Sequence, residues 1–224
     1  MSQKLAIYIH WPFCKSKCPY CDFNSYAVKD FDDNKFKDTY IQELHYFKSK
    51  ARDRIISSIF FGGGTPSLMR ASTIEEIIYE IEKLWHIPKN TEISMEANPT
   101  SVEIEKFRDF YKAGINRMSL GIQSLYDEDL KFLGRKHNAL EAKEAIKTAA
   151  KVFGNRYSID LIYARPKQTL HNWQLELEEA INLSPYHISL YQLTVEQGTR
   201  FYQQEKDRIF IIPNGKLSAD FYNL

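Results

Sequence analysis

The sequence predicts an α/β protein built as a partial (β/α)6, TIM-like barrel, and three observations predict it. Short apolar runs alternate six times with amphipathic helical stretches. No hairpin signal joins one run to the next, so the strands are parallel with right-handed crossovers. Each run carries its apolar residues on one parity and small or polar residues on the other. An open doubly wound sheet would be apolar on both faces, whereas a face that is polar in strand after strand lines a wide, solvated cavity. That parity decides between two architectures that 224 residues fit equally well.

Leu5–Ile9 is the first strand, with Ile7 and Ile9 opposite Tyr8 and His10, and a cysteine-bearing loop follows it. Asp33–Lys50 reads as a helix with Phe36, Tyr40, Leu44 and Phe47 on one face. Ile55–Phe61 is the second strand and runs into Gly62-Gly63-Gly64-Thr65-Pro66. Ser72 and Glu75 have capping-box spacing, and the helix after them places Ile74, Ile77, Ile78, Ile81, Leu84 and Trp85 on one stripe. Glu92–Ala97 is the third strand, where Ile93 and Met95 oppose Ser94, Glu96 and Asn98. Thr100 and Glu103 cap a further helix that stops at Gly114.

Ile115–Gln123 is the fourth strand, with Met118, Leu120 and Ile122 opposite Arg117, Ser119, Gly121 and Gln123. A helix over Ala139–Val152 leads to a fifth strand, Tyr157–Ala164, where Ile159 and Leu161 oppose Ser158 and Asp160. The helix Leu170–Leu183 turns Leu170, Trp173, Leu177 and Ala180 inward. In the sixth strand, Tyr186–Thr194, Ile188 and Leu190 oppose His187, Ser189 and Tyr191. Residues 1–195 thus form the core. Residues 196–224 are mostly polar, with one apolar run at Ile209–Pro213 and the first turns of a helix at Leu217–Phe221, and read as the start of a truncated C-terminal region.

Composition excludes some partners. The net charge is +1, which leaves no electrostatic footprint for nucleic acid or an anionic membrane. No apolar run reaches the length of a spanning helix, and Met1-Ser2-Gln3-Lys4 opens no signal-peptide pattern. An odd cysteine count without an export signal points to a reducing, cytoplasmic setting.

The chemistry begins with Cys14, Cys18 and Cys21, the chain's three cysteines, gathered in one short window as C-x3-C-x2-C. Three thiolates are a metal-ligand set that leaves one coordination position for something other than protein. A [4Fe–4S] cluster normally takes four thiolates. Zinc, with His10 as a fourth ligand, is the rival, and three structural cysteines are the plain alternative. Structural zinc usually comes as two ligand pairs split by a longer loop. This contiguous loop after one strand favours a cofactor held at the barrel mouth. The run Gly62–Pro66 also follows a strand, at the end where parallel α/β folds place their sites. It lets the backbone approach a phosphate or carboxylate, or forms a tight turn. Glu96, Gln123 and Asp160 sit at strand ends on the polar parity, and Arg135 comes soon after the fourth strand. Together they describe a pocket for a zwitterionic nucleoside.

Cys14-x3-Cys18-x2-Cys21 with aromatic Tyr20 resembles the radical S-adenosylmethionine (SAM) superfamily, in which three cysteines bind a [4Fe–4S] cluster and SAM chelates the open iron. Tyr8–Cys14, Phe61–Ser67, Glu96–Pro99, Leu120–Ser124 and Ile159–Pro166 resemble, in order, the branch containing oxygen-independent coproporphyrinogen III dehydrogenase (HemN) and the heme chaperone HemW. The resemblance implies Cys14, Cys18 and Cys21 as cluster ligands and Tyr8 beside the SAM–cluster contact. It implies Gly63, Gly64 and Thr65 holding the SAM amino-acid end, Glu96 near its amino group, and Tyr20 near adenine. Gln123, Arg135 and Asp160 match further SAM contacts.

Two departures select within the branch. The dehydrogenase has a fourth cysteine two places after the third, where this chain has Phe23, and it has an extension before the first strand. Both departures match the HemW pattern, so the resemblance implies heme binding and delivery to hemoproteins, and coproporphyrinogen decarboxylation is not expected. The alternatives are a coproporphyrinogen III oxidase or a non-functional truncated remnant. Members of the branch continue into a C-terminal domain with a His-Asn-containing motif linked to heme binding, which a second polypeptide would have to supply. Among the histidines weighed as axial ligands, His10, His137 and His187 read first as satisfied barrel histidines.

Overall fold

The structure is a computed structural model describing residues 3–183 and 186–224; Met1 and Ser2 of the opening tetrapeptide lie outside it. Strand β1 (Lys4–Trp11) leads into the cysteine loop, where two short strands, β2 (Phe13–Cys14) and β3 (Tyr26–Ala27), pair in a small parallel ribbon. Helix α1 (Asp33–Lys50) precedes β4 (Ile55–Gly63), a 3₁₀ turn over Pro66–Leu68, and α2 (Ala71–Leu84). Then come β5 (Glu92–Ala97), α3 (Ser101–Ile104), α4 (Phe107–Lys112), β6 (Arg117–Gln123), α5 (Asp127–Phe132) and α6 (Ala139–Phe153). The chain finishes with β7 (Tyr157–Tyr163), α7 (Leu170–Leu183), β8 (Ile188–Gln192), α8 (Arg200–Lys206) and α9 (Gly215–Tyr222).

The six long strands lie in the order β1-β4-β5-β6-β7-β8, every pair parallel, and curl into a half-barrel with the helices outside. The period-2 pattern sets this arrangement. Met118, Leu120, Ile122, Ile159 and Leu161 are fully buried against the helices. Arg117, Ser119, Gly121, Gln123 and Asp160 are half-buried on the concave side. Outside, α2 seats Ile74, Ile77 and Ile81 in the core, and α6 seats Ala142, Ala145, Ile146 and Ala149. Each fully buried isoleucine contributes roughly 1.5–3 kcal/mol relative to exposure, and alanines let α6 approach the sheet closely.

Several expectations are corrected. Ser72 does not cap α2. The helix starts at Ala71, two residues earlier than a Ser72 cap would place it, with Arg70 at the cap position and no side-chain cap bond. Its first turn is tied to α1 instead, because the buried Asp33 carboxylate accepts from Arg70 Nε at 2.7 Å and from the Thr73 hydroxyl. The helix expected from Thr100 to Gly114 is two short helices, α3 and α4. Glu103 there accepts from the Asn98 backbone at 3.0 Å and from the Ser67 hydroxyl rather than closing a capping box. The box that does form is Asn138 with Glu141 at the start of α6, and α5 was not foreseen. Phe47 is exposed although Tyr40 and Leu44 on the same helix are buried. Leu190 is also exposed, since β8 ends the sheet and pairs with β7 alone.

The segment after β8 folds back over the cysteine loop. Phe201 and Phe210 join Leu133, Ile162 and Leu193 in a second small core, and the Phe201 N–H donates to the Pro19 carbonyl at 2.9 Å. Phe221 of α9 enters the main core.

Candidate functional site

The cysteine loop is held at the carboxyl end of the sheet by packing and by backbone bonds. Trp11, fully buried at the end of β1, meets the rings of Phe13, Phe31 and Phe36 edge-on at 5.3, 5.0 and 5.7 Å. The Tyr26 N–H donates to the Pro12 carbonyl at 2.7 Å and Val28 N–H to the Cys14 carbonyl at 3.0 Å. Between Cys18 and Cys21 the chain closes a tight turn, Cys21 N–H to Cys18 C=O at 3.1 Å. Lys17 donates its ammonium to the carbonyls of Phe23 and Ser25, at 2.8 and 3.2 Å, and so braces the segment that follows Cys21.

The glycine run at the end of β4 is fitted to this loop. Gly64 N–H donates to the Trp11 carbonyl at 2.6 Å and Thr65 N–H to the Phe13 carbonyl at 2.8 Å, while Gly63 N–H donates to Glu96 Oε2 at 3.2 Å. A Cβ on Gly64 would sit 2.7 Å from the Phe13 oxygen and 3.1 Å from Cys14 Sγ. Gly63 has φ +115°, which an L side chain rarely adopts. The run's N–H groups thus point into the protein, while Gly64 and Thr65 also line a cavity above the concave face. All three donors are already committed within the protein, and the glycines are there so that β4 and the cysteine loop can touch.

One cavity of about 290 Å³ opens above the concave face. Cys14, Cys18, Cys21, Tyr20, Gly64, Thr65, Glu96, Gln123, Arg135 and Asp160 all line it. Two expected residues do not. Gly63 works through Glu96, and Tyr8 stacks on Phe60 at 5.8 Å, with its hydroxyl 3.4 Å from His10 Nδ1.

Each polar residue reaches the cavity for a local reason. Glu96 lies on the concave parity of β5, and Asn98 continues that parity just past the end of the strand. Gln123 ends β6 just past a register shift, with φ 72°, and pairs with Leu161 of β7. Arg135 lies across Gly121: its Nη2 donates to the Gly121 carbonyl at 2.8 Å and to Asn98 Oδ1 at 2.5 Å, and its Nη1 to Cys18 Sγ at 3.4 Å. Its buried Nε has no hydrogen-bond partner among the described residues. Asp160 accepts from Ser119 Oγ at 3.2 and 3.3 Å.

The charges are matched to a zwitterion. Burial pushes the Glu96 carboxyl up to about 7, opposed by the Gly63 N–H and reinforced by the Asp160 charge. Burial also raises Asp160, against hydroxyl bonds from Ser189 and Ser119. Burial raises the Cys21 thiol too, with the Phe23 backbone bond and the Lys17 charge opposing it. Two carboxyl groups with raised affinity for protons gain from a ligand ammonium or from hydroxyl donors, and Arg135 supplies the cation for a carboxylate.

The donor set fits an iron–sulfur cluster better than one zinc ion. All three cysteines are free thiols facing one cavity. A cluster places each thiolate on a different iron, so the three sulfurs need not converge on one point as the ligands of a single ion do. His10, the fourth ligand that the rival zinc reading would use, is engaged elsewhere: its Nε2 donates to the Asn24 carbonyl at 2.9 Å, and its Nδ1 faces Tyr8. His137 is buried, donates Nε2–H to the Ile122 carbonyl at 3.0 Å, and is pushed down to about 3 by burial and by Arg135. His187 is exposed beside the cavity-side strand β8.

Residue-by-residue reading missed Asn98, which orients Arg135 and donates to Thr65 Oγ1 at 3.3 Å. Its parity with Glu96 was the available signal. It also missed Lys17, inside the cysteine window, and Tyr191, a lining residue from β8.

Comparison with known proteins gives three findings. The model of the radical SAM superfamily matches residues 8–180. Heme chaperone HemW of Haemophilus influenzae is 47% identical over 203 residues, 88% of this chain and 53% of that protein. The mitochondrial radical S-adenosyl methionine domain-containing protein 1 of Bos taurus is 36% identical over 221 residues, 99% of this chain and 50% of that protein. The chain thus spans about half the length of these curated relatives. Among solved structures, coproporphyrinogen III oxidase (HemN) of Escherichia coli superposes with a TM-score of 0.85 at 24% identity, covering 99% of this chain and 51% of that one. The archaeal Elp3 of Methanocaldococcus infernus superposes with a TM-score of 0.63 at 18% identity, over 99% of this chain and 53% of that one. At these identities the superpositions establish a shared fold.

Proposed function

The chain belongs to the radical SAM superfamily, and on that premise we propose that it is the core of a HemW-like heme chaperone, holding a [4Fe–4S] cluster and SAM and serving heme transfer to hemoproteins in the cytoplasm. The observation that carries this reading is the meeting of three free thiols with Glu96, Gln123, Arg135 and Asp160 around one cavity. Cys14, Cys18 and Cys21 are the cluster ligands. When bound, the cluster supplies an open iron site and one-electron chemistry.

The chain's own residues do the rest. Arg135 takes the SAM carboxylate, and Glu96 takes its ammonium. Asp160 and Gln123 take ribose hydroxyls, while Tyr20 offers its ring to the adenine. Gly64 and Thr65 hold the SAM amino-acid end, with Gly63 behind them bonded to Glu96, and Tyr8 backs the same edge of the sheet through Phe60 and His10.

Two observations favour the chaperone over porphyrinogen oxidation. Relatives carrying the chaperone's name are 40–47% identical across nearly nine-tenths of this chain. Phe23, exposed at the cavity rim, stands where the dehydrogenase pattern has its fourth cysteine. Heme is the finest part of the proposal, and none of the cavity-lining residues is a histidine. Anaerobic titration of the reconstituted protein with heme tests it. The chaperone reading expects a stoichiometric Soret shift, and its absence removes heme transfer from this chain. Formation of protoporphyrinogen from coproporphyrinogen, with SAM and a reductant, would replace the chaperone with the oxidase.

A further inference from the structure

The Arg135 guanidinium is held by bonds within the protein. Nη2 has both its hydrogens placed, one on Asn98 Oδ1 and one on the Gly121 carbonyl. Those two bonds set the guanidinium plane and leave Nη1 against Cys18 Sγ at 3.4 Å. A Cβ on residue 121 would stand 3.0 Å from Gln123 Nε2 and 3.4 Å from Arg135 Nη2, so both side chains lie close over this glycine. Thus a permanent cation, held by two other elements of the fold, donates to one of the three cysteine sulfurs.

We propose that Arg135 sets the reduction potential of the cluster by donating to the Cys18 sulfur. This rests on the cluster reading above. Adding one electron to the cluster adds negative charge that its sulfurs share. A cation and an N–H bond at one of those sulfurs, in a poorly screened cavity, stabilise the reduced form more than the oxidised form. Hydrogen bonds to sulfur are among the factors that set such potentials. The sign is therefore fixed: Arg135 makes the cluster easier to reduce. Arg117 provides the contrast. It is a cation on the same concave face, bonded to Ser158 Oγ at 3.1 Å and with its Nε 3.8 Å from Glu92 Oε2.

The test is an anaerobic redox titration of the reconstituted full chain, without SAM, read by electron paramagnetic resonance of the reduced cluster. Wild type, R135Q, R135K and R117Q are compared, with iron and sulfide measured on each. R135Q is expected to keep its iron and to lower the reduced-to-oxidised ratio about tenfold at a fixed potential, a negative shift of about 59 mV for one electron. R135K, with the charge on a shorter reach, shifts the same way by less, and it decides the matter if R135Q loses its cluster. R117Q leaves the ratio unchanged. An unmoved potential in both Arg135 variants with full iron content overturns this proposal alone, as does an equal shift in R117Q. A wild-type chain that takes up no iron overturns the cluster reading itself.

Discussion

Glu96 Oε2 accepts the Gly63 backbone N–H at 3.2 Å, joining the end of β5 to the positive-φ glycine that ends the β4 ladder. The carboxyl is thus a strut of the site as well as a ligand-facing group, and its protonation has a stability consequence. Its affinity for protons is raised to about 7 by burial, against the Gly63 bond and with the Asp160 charge. A raised acid contributes stability that is fully present below its unfolded value and lost as pH rises through its folded value.

From that follows a pH prediction for the apo protein. At pH 5 Glu96 is protonated and E96Q differs little from wild type in urea midpoint. Between pH 5 and 8 the wild type loses stability that E96Q keeps, so the gap widens in favour of the variant. In SAM binding to the reconstituted protein the order reverses, and E96Q binds at least several-fold more weakly at pH 8. Parallel midpoints across the pH range would contradict the assignment.

Gly64 is predicted to be irreplaceable for cluster uptake rather than for folding. In G64A the new methyl presses on the Phe13 carbonyl and on Cys14 Sγ. Iron per chain after reconstitution should fall several-fold while the far-ultraviolet circular dichroism stays that of wild type. Undiminished iron in a folded G64A would show that β4 and the cysteine loop need not touch.

A third prediction concerns the turn beneath Gln123. Glu176 of α7 is fully buried and accepts from Ser124 Oγ at 2.6 Å, from Leu125 N–H at 2.8 Å, and from Arg165, which is 1% exposed. Removing one member of a buried ion pair strands the other. E176A is expected to cost about 3–5 kcal/mol in urea denaturation. A loss below about 1 kcal/mol would mean that Asp129, 3.3 Å from Arg165, takes over the charge.

Lys17 is predicted to govern how long a cluster stays. K17M removes both bonds to the segment after Cys21. Loss of iron to a chelator under anaerobic conditions should speed up several-fold, with little change in iron content at the start. Equal rates would reduce Lys17 to a surface cation.

What the sequence disclosed follows from the kind of pattern that encodes it. Period-2 parity placed Glu96, Gln123 and Asp160 on the concave face, because a strand's side chains must alternate whatever packs around it. The helices Asp33–Lys50 and Leu170–Leu183 have the bounds their apolar spacing predicts. Pairings made by the fold were hidden. Asn98 with Arg135, Lys17 with the Phe23 carbonyl, and Glu176 with Ser124 are partners that no local spacing announces. The Ser72 capping signal failed because Asp33, from another helix, holds that turn instead. Leu190 followed the strand pattern correctly, but β8 lies at the sheet edge, where the apolar parity is left exposed.

The most direct test of the whole account is metal content after anaerobic reconstitution, for wild type and for Cys14→Ala, Cys18→Ala and Cys21→Ala. The account predicts about four irons and four sulfides per wild-type chain, with a broad visible absorbance, and loss of both in every cysteine variant. Zinc without visible absorbance, or iron retained in the variants, would contradict it.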